Sequence, residues 1–135
     1  MDETSAAPEV ADEVLDRAVA LLYERVLADD FLREYFWDVD VERLRGQQRA
    51  HLAAALGRAA PPSGRALEQS HRGLKISDFA FDCFLEAMTG ALREAGLAAP
   101  LVERVQQVYL ALKGRVVEDF KPDPKYAAFA GATRR

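Results

Sequence analysis

Apolar residues along the chain recur at helical spacing. Leu15, Val19, Leu22 and Val26 follow one another at four, three and four, which lines one face of an α-helix, and Tyr23 falls on the same side. Pro8 is tolerated in a first turn, so this helix is expected from near Pro8, reading as one unbroken helix from Asp12 to Val26. Asp29-Asp30 interrupts it, and Phe31 to Phe36 leaves room for a short helical turn capped by Asp30. A second long helix is predicted from Val41 to Leu56, capped by Asp38 or Asp40 and ended by a left-handed Gly57. Its inner face reads Leu44, Gln48, Leu52, Ala55. Residues 58–64 are an aperiodic loop with two prolines, and a short helical piece over Ala66 to Ser70 leads to His71-Arg72-Gly73. Ser77 caps a third long helix with Phe81, Phe84, Leu85, Met88, Leu92 and Ala95 inward and Gly96 as its stop. Pro100 opens a fourth, with Leu101, Val105, Val108, Tyr109, Leu112 and Val116 inward; Pro122 and Pro124 then break any helix. No stretch alternates with period two. The fold class is all-α: a single domain over 9–120, between a flexible lead-in (1–8) and a loosely ordered tail (121–135).

Composition narrows the chemistry. The 135 residues suffice for one ordinary domain, and half are hydrophobic, enough for a core. Two histidines and one cysteine cannot build a four-ligand structural zinc site, and one cysteine cannot form an internal disulfide. A net charge of −4 argues against binding driven by phosphate neutralisation. No apolar run approaches the ~20 residues of a membrane span. The first residues are acidic where a secretory signal is basic and then apolar. A cytoplasmic protein without nucleic-acid or membrane partners is expected.

Few residues stand out as candidates. His71 lies in the least regular stretch, where function concentrates, although a surface histidine would look the same. Tyr23 and Gln48 are polar groups on inner faces; they need partners, from each other, the backbone or a ligand. His51, a turn beyond Gln48, reads as half-exposed. Phe36, Phe81, Phe84 and Met88 read as core or as the wall of a flat apolar cofactor pocket. Cys83 reads as packing. There is no Gly-rich phosphate loop and no nucleophile motif.

The run Leu21-Leu-Tyr-Glu-Arg-Val-Leu-Ala-Asp-Asp30, continuing through Tyr35-Phe36, Leu44-Arg-Gly-Gln-Gln48 and Ala53-Ala-Ala-Leu-Gly57, resembles the truncated haemoglobins, most closely their first group. The match stays in step through Ser70-His71-Arg72-Gly73-Leu74-Lys75-Ile76-Ser77, and covers roughly residues 15–117. The resemblance implies a two-over-two helical sandwich holding haem b, with His71 as the proximal iron ligand. Tyr23 and Gln48 would face the other side of the iron as hydrogen-bond donors to dioxygen. Leu44 would stand at the gate, Phe36 would pack against the haem face, and Phe81, Phe84 and Met88 would line the cavity. Arg43, Arg45, Arg65, Arg72 and Lys75 would be the candidates to pair with the propionates, with Arg45 and Lys75 counted among the haem-binding residues. The implied activity is binding of dioxygen and related diatomic ligands, with nitric oxide dioxygenation given an unidentified reductase. A haem-based sensor or a peroxidase-like enzyme are the alternatives. Gln47 stands where some members place a second iron-binding histidine, so five-coordinate ferrous iron is expected and His51 is a bystander. The chain departs from the family where paired glycines usually divide the first helix, and where Gly57-Arg58 replaces Gly-Gly.

Overall fold

A computed structural model describes residues 10–61, 63–71 and 74–117. The expected lead-in and tail lie outside the described residues, as does Arg72. In chain order the elements are α1 (Asp12–Ala28), a 3₁₀ helix (Leu32–Phe36), α2 (Val41–Ala55), α3 (Gly64–His71), α4 (Asp78–Glu94), α5 (Ala99–Ala111) and α6 (Lys113–Val116). There is no strand among the described residues.

Local chemistry sets these boundaries. Asp40 Oδ1 accepts from the Arg43 backbone N–H at 3.2 Å and starts α2. At its far end Gly57, with φ +81°, reverses the chain, and the Arg58 and Gly57 N–H groups bond to Ala53 and Ala54 carbonyls. The same closure recurs after α4 at Gly96 (φ +100°), where the Leu97 and Gly96 N–H groups reach Leu92 and Arg93. Ser77 Oγ caps α4 by accepting from the Ala80 N–H at 3.0 Å. The 3₁₀ helix is anchored by Asp29, not by the expected Asp30: Asp29 Oδ1 accepts from the Phe31 and Leu32 N–H groups at 2.8 and 3.0 Å. α3 is longer than its expected core and includes His71 as its last residue; Ser63 Oγ accepts from the Ala66 N–H at its start.

α1 is unbroken, as its pattern predicts. It packs chiefly on α4, and α2 packs on α5, so the pairs α1–α2 and α4–α5 form the two layers of a two-over-two sandwich. Leu15, Leu22, Val26, Leu52, Leu92 and Val105 fill the centre between them. The expected fourth helix divides at Leu112, where the chain tightens into short turns. Lys113 Nζ reaches across to Asp82 at 2.9 Å and Asp78 at 3.2 Å on α4. α6 in turn supports α3: Arg115 Nη1 pairs with Glu68 Oε2 at 2.8 Å.

Candidate functional site

The layers do not close completely. A cavity of about 230 Å³ remains between α2, α3, the 3₁₀ helix and the inner ends of α4 and α5. Its wall is mostly apolar; Phe36, Leu44, Phe81 and Phe84 line it, each at a position singled out in the sequence. Met88, expected on the same wall, is instead fully buried in the core and does not line the cavity. One helical turn beyond Phe84, its side chain lies deeper in the core shared with α1.

Tyr23, Gln48 and His71 are brought to this one cavity from α1, α2 and α3. Tyr23 is 1% exposed, and its ring meets Phe36 edge-on at 5.8 Å. Burial pushes its pKa up to about 12, against the pull of the Arg45 guanidinium. The phenol therefore keeps its proton at neutral pH and remains a hydrogen-bond donor. Gln48 is half-buried, and its carbonyl Oε1 accepts from the Tyr109 hydroxyl at 2.7 Å.

His71 has an assigned orientation. Its Nδ1 lies 2.8 Å from the Leu67 carbonyl one turn earlier in α3. A carbonyl oxygen can only accept, so Nδ1 carries the proton. In the neutral ring Nε2 then holds the lone pair, the state in which imidazole binds a metal. Among the described residues no group of three or more His, Cys, Asp and Glu side chains is placed to hold a metal ion. The free Nε2 of His71, on the wall of an apolar cavity, fits a metal that takes one nitrogen from the protein and its remaining ligands from a macrocycle.

Among the described basic candidates, Arg43, Arg45, Arg65 and Lys75 lie outside the cavity lining. Arg45 Nη1 is 3.7 Å from Glu42, while its Nε is buried without a hydrogen-bond partner among the described residues. That orphaned donor is a feature an acidic substituent of a bound group would satisfy. Lys75 is exposed and holds a left-handed backbone, φ +58°. Cys83 is half-buried, and its thiol pKa is raised to about 11 chiefly by burial, which keeps it out of nucleophilic chemistry.

Several cavity residues were not recognised as site residues from sequence, the polar Tyr35, His51 and Tyr109 among them. His51 is half-exposed, as read from the sequence, and also lines the cavity; burial and then the neighbouring His71 push its pKa below the usual histidine value. Tyr109 also lines it. The signal for Tyr109 was present: a phenol on an otherwise aliphatic stripe, the feature that marked Tyr23.

The family model for bacterial-like globins matches residues 11–118. A group 1 truncated haemoglobin of Synechocystis is 34% identical over 98 residues, 70% of this chain and 79% of its own length. One from Mycolicibacterium paratuberculosis is 34% identical over 93 residues, 69% of this chain and 68% of its own. The crystal structure of the Tetrahymena pyriformis truncated haemoglobin in its Fe(III) form superposes with a TM-score of 0.73 at 23% identity, covering 81% of this chain and 93% of the other. The chain belongs to the bacterial-like globin family, among the group 1 truncated haemoglobins.

Proposed function

We propose that this protein holds a b-type haem through His71 and uses Tyr23 and Gln48 to retain dioxygen, which it turns on nitric oxide when an electron donor is present. Family membership implies a haem and a diatomic gas ligand; the haem type, the gas and the reaction are the finer reading. The observation that carries it is the convergence of Tyr23, Gln48 and an oriented His71 on one otherwise apolar cavity.

The bound haem would supply the iron for ligand binding and electron transfer. The chain supplies the rest. His71 would bind through Nε2, with the Leu67 carbonyl holding its ring in orientation. Phe36, Phe81 and Phe84 line the cavity and would offer apolar surface to the macrocycle, keeping water from it. Arg45 and Lys75 would pair with the propionates, and the orphaned Arg45 Nε supports that role. Tyr23 donates a hydrogen bond toward partial negative charge on the ligand, inside a low-dielectric site where such a bond is strengthened. The conversion balances as nitric oxide plus dioxygen plus one electron giving nitrate. An apolar interior suits the passage of a small uncharged gas.

Reduced holoprotein equilibrated with dioxygen and mixed with nitric oxide should give prompt, stoichiometric nitrate and ferric protein. Absence of nitrate would defeat the dioxygenase reading and leave dioxygen binding to be measured directly.

A further inference from the structure

Gln48 is an ambiguous donor taken alone. A primary amide carries an acceptor oxygen and a donor NH2 at opposite corners of one plane, and rotation about its last bond exchanges them. Whether Gln48 offers the cavity an N–H or a carbonyl oxygen therefore depends on what holds the amide. That choice has opposite electrostatic consequences for a ligand with negative charge on its outer atom.

The structure contains such a holder. Tyr109, near the end of α5, places its hydroxyl 2.7 Å from Gln48 Oε1, across the packing of α2 on α5. Both side chains line the cavity that Tyr23 faces. Burial, and then the neighbouring Tyr23, raise the pKa of Tyr109, so its hydroxyl stays protonated and available as a donor. Turning the amide over would let the hydroxyl accept from Nε2, but its own proton, now donated to Oε1, would be left without an acceptor among the described residues. Among the described residues Tyr109 is the hydrogen-bond partner of the Gln48 side chain, so the need of its proton for an acceptor favours Oε1 on that side and leaves the NH2 as the end presented.

The geometry points to Tyr109 as a positioning residue: its hydroxyl donates to Gln48 Oε1 and keeps the amide NH2 as the end presented to the ligand. This rests on the reading of Gln48 as a ligand-facing donor. Tyr109 acts through Gln48 and makes no claim on the ligand itself. In a family where the distal polar groups are assigned to the first two long helices, it adds a residue from the opposite layer to the site's electrostatics.

The C–O stretch of the ferrous carbon monoxide holoprotein reads this orientation. An N–H dipole aimed at the outer atom lowers the stretch, and a carbonyl lone pair raises it. Four proteins are compared: wild type, Tyr109→Phe, Gln48→Leu and the double variant. Gln48→Leu should shift the band upward. Tyr109→Phe should shift it upward or split it in two as both amide orientations become populated, with dioxygen leaving several-fold faster. In the Gln48→Leu background, Tyr109→Phe should change neither reading. A wild-type band in Tyr109→Phe, beside a shifted band in Gln48→Leu, would overturn the positioning role alone. An equal Tyr109→Phe shift in both backgrounds would also overturn it, since the effect would not pass through the amide. A wild-type band in Gln48→Leu would remove the reading of Gln48 as a donor, and this inference with it.

Discussion

Tyr23 combines 1% exposure with a pKa pushed up to about 12, and it faces a cavity rather than a backbone acceptor that would consume its proton. A hydrogen bond from such a group to a partly charged partner contributes about 1.5–3 kcal/mol. Tyr23→Phe should therefore speed dioxygen dissociation about tenfold to a hundredfold, measured by stopped-flow displacement with carbon monoxide; an unchanged rate would remove the phenol from the site. Much at this scale was legible. Tyr23 and Gln48 declared themselves as polar residues on apolar faces, and His71 as a lone histidine in an irregular stretch. Their partners were less so. Gln48 pairs with neither Tyr23 nor the backbone but with Tyr109, 61 positions away. Helical periodicity gives each face its direction, yet not which residues on two faces meet. Met88 shows the converse: its periodicity is that of a wall residue, but the packing of α1 on α4 takes it into the core.

Helix ends were readable wherever a single residue type carries the physics. Ser77, Gly57 and Gly96 each act where their chemistry predicts. Gly96 offers a clean test, because a Cβ there would meet nothing within 4 Å and the only cost is its left-handed backbone. That conformation costs a non-glycine residue about 1–2 kcal/mol, offset by about 0.4–1 kcal/mol of unfolded-chain entropy. Gly96→Ala should lose about 1 kcal/mol, seen as a melting temperature lower by roughly 3–5 °C; an unchanged melting temperature would contradict the closure described. The division of α5 from α6 was not legible. Nothing in Leu112-Lys113-Gly114 forbids a continuing helix as a proline would; the reach of Lys113 to Asp78 and Asp82 on α4 accompanies the tighter turn. The same limit applies to Asp29 and Asp30, adjacent and chemically equal, where only backbone geometry selects the cap.

Across the whole molecule, the departures from family pattern have a structural use. Arg58, in place of a second glycine, donates to the Val10 carbonyl and to Asp12 at 2.9 Å, and Arg49 approaches Asp12 at 3.3 Å. The start of the undivided α1 is thus tied to α2 through Asp12. Its two arginine partners hold the Asp12 carboxyl below its ordinary value of 3.8. The folded state then binds that proton less tightly than the unfolded chain, so the contribution is present above pH 3.8 and lost as pH falls through the lower folded value. Asp12→Asn should lower the melting temperature slightly at pH 7, with the difference shrinking in high salt and closing in acid below pH 3.8. A constant difference across that range would contradict the ion-pair origin. The four long helices were legible from their apolar stripes, whereas the two-over-two arrangement and the place of a haem came from the resemblance to truncated haemoglobins. Under the proposed function His71, through Nε2, is the single protein ligand of a haem iron. Absorption spectra of the haem-reconstituted protein in ferric, ferrous and ferrous carbon monoxide states, for wild type and His71→Ala, test it most directly. Wild type should give a five-coordinate ferrous spectrum and a normal histidine-ligated carbon monoxide spectrum, and His71→Ala should lose the latter. A normal carbon monoxide spectrum retained in His71→Ala would contradict it.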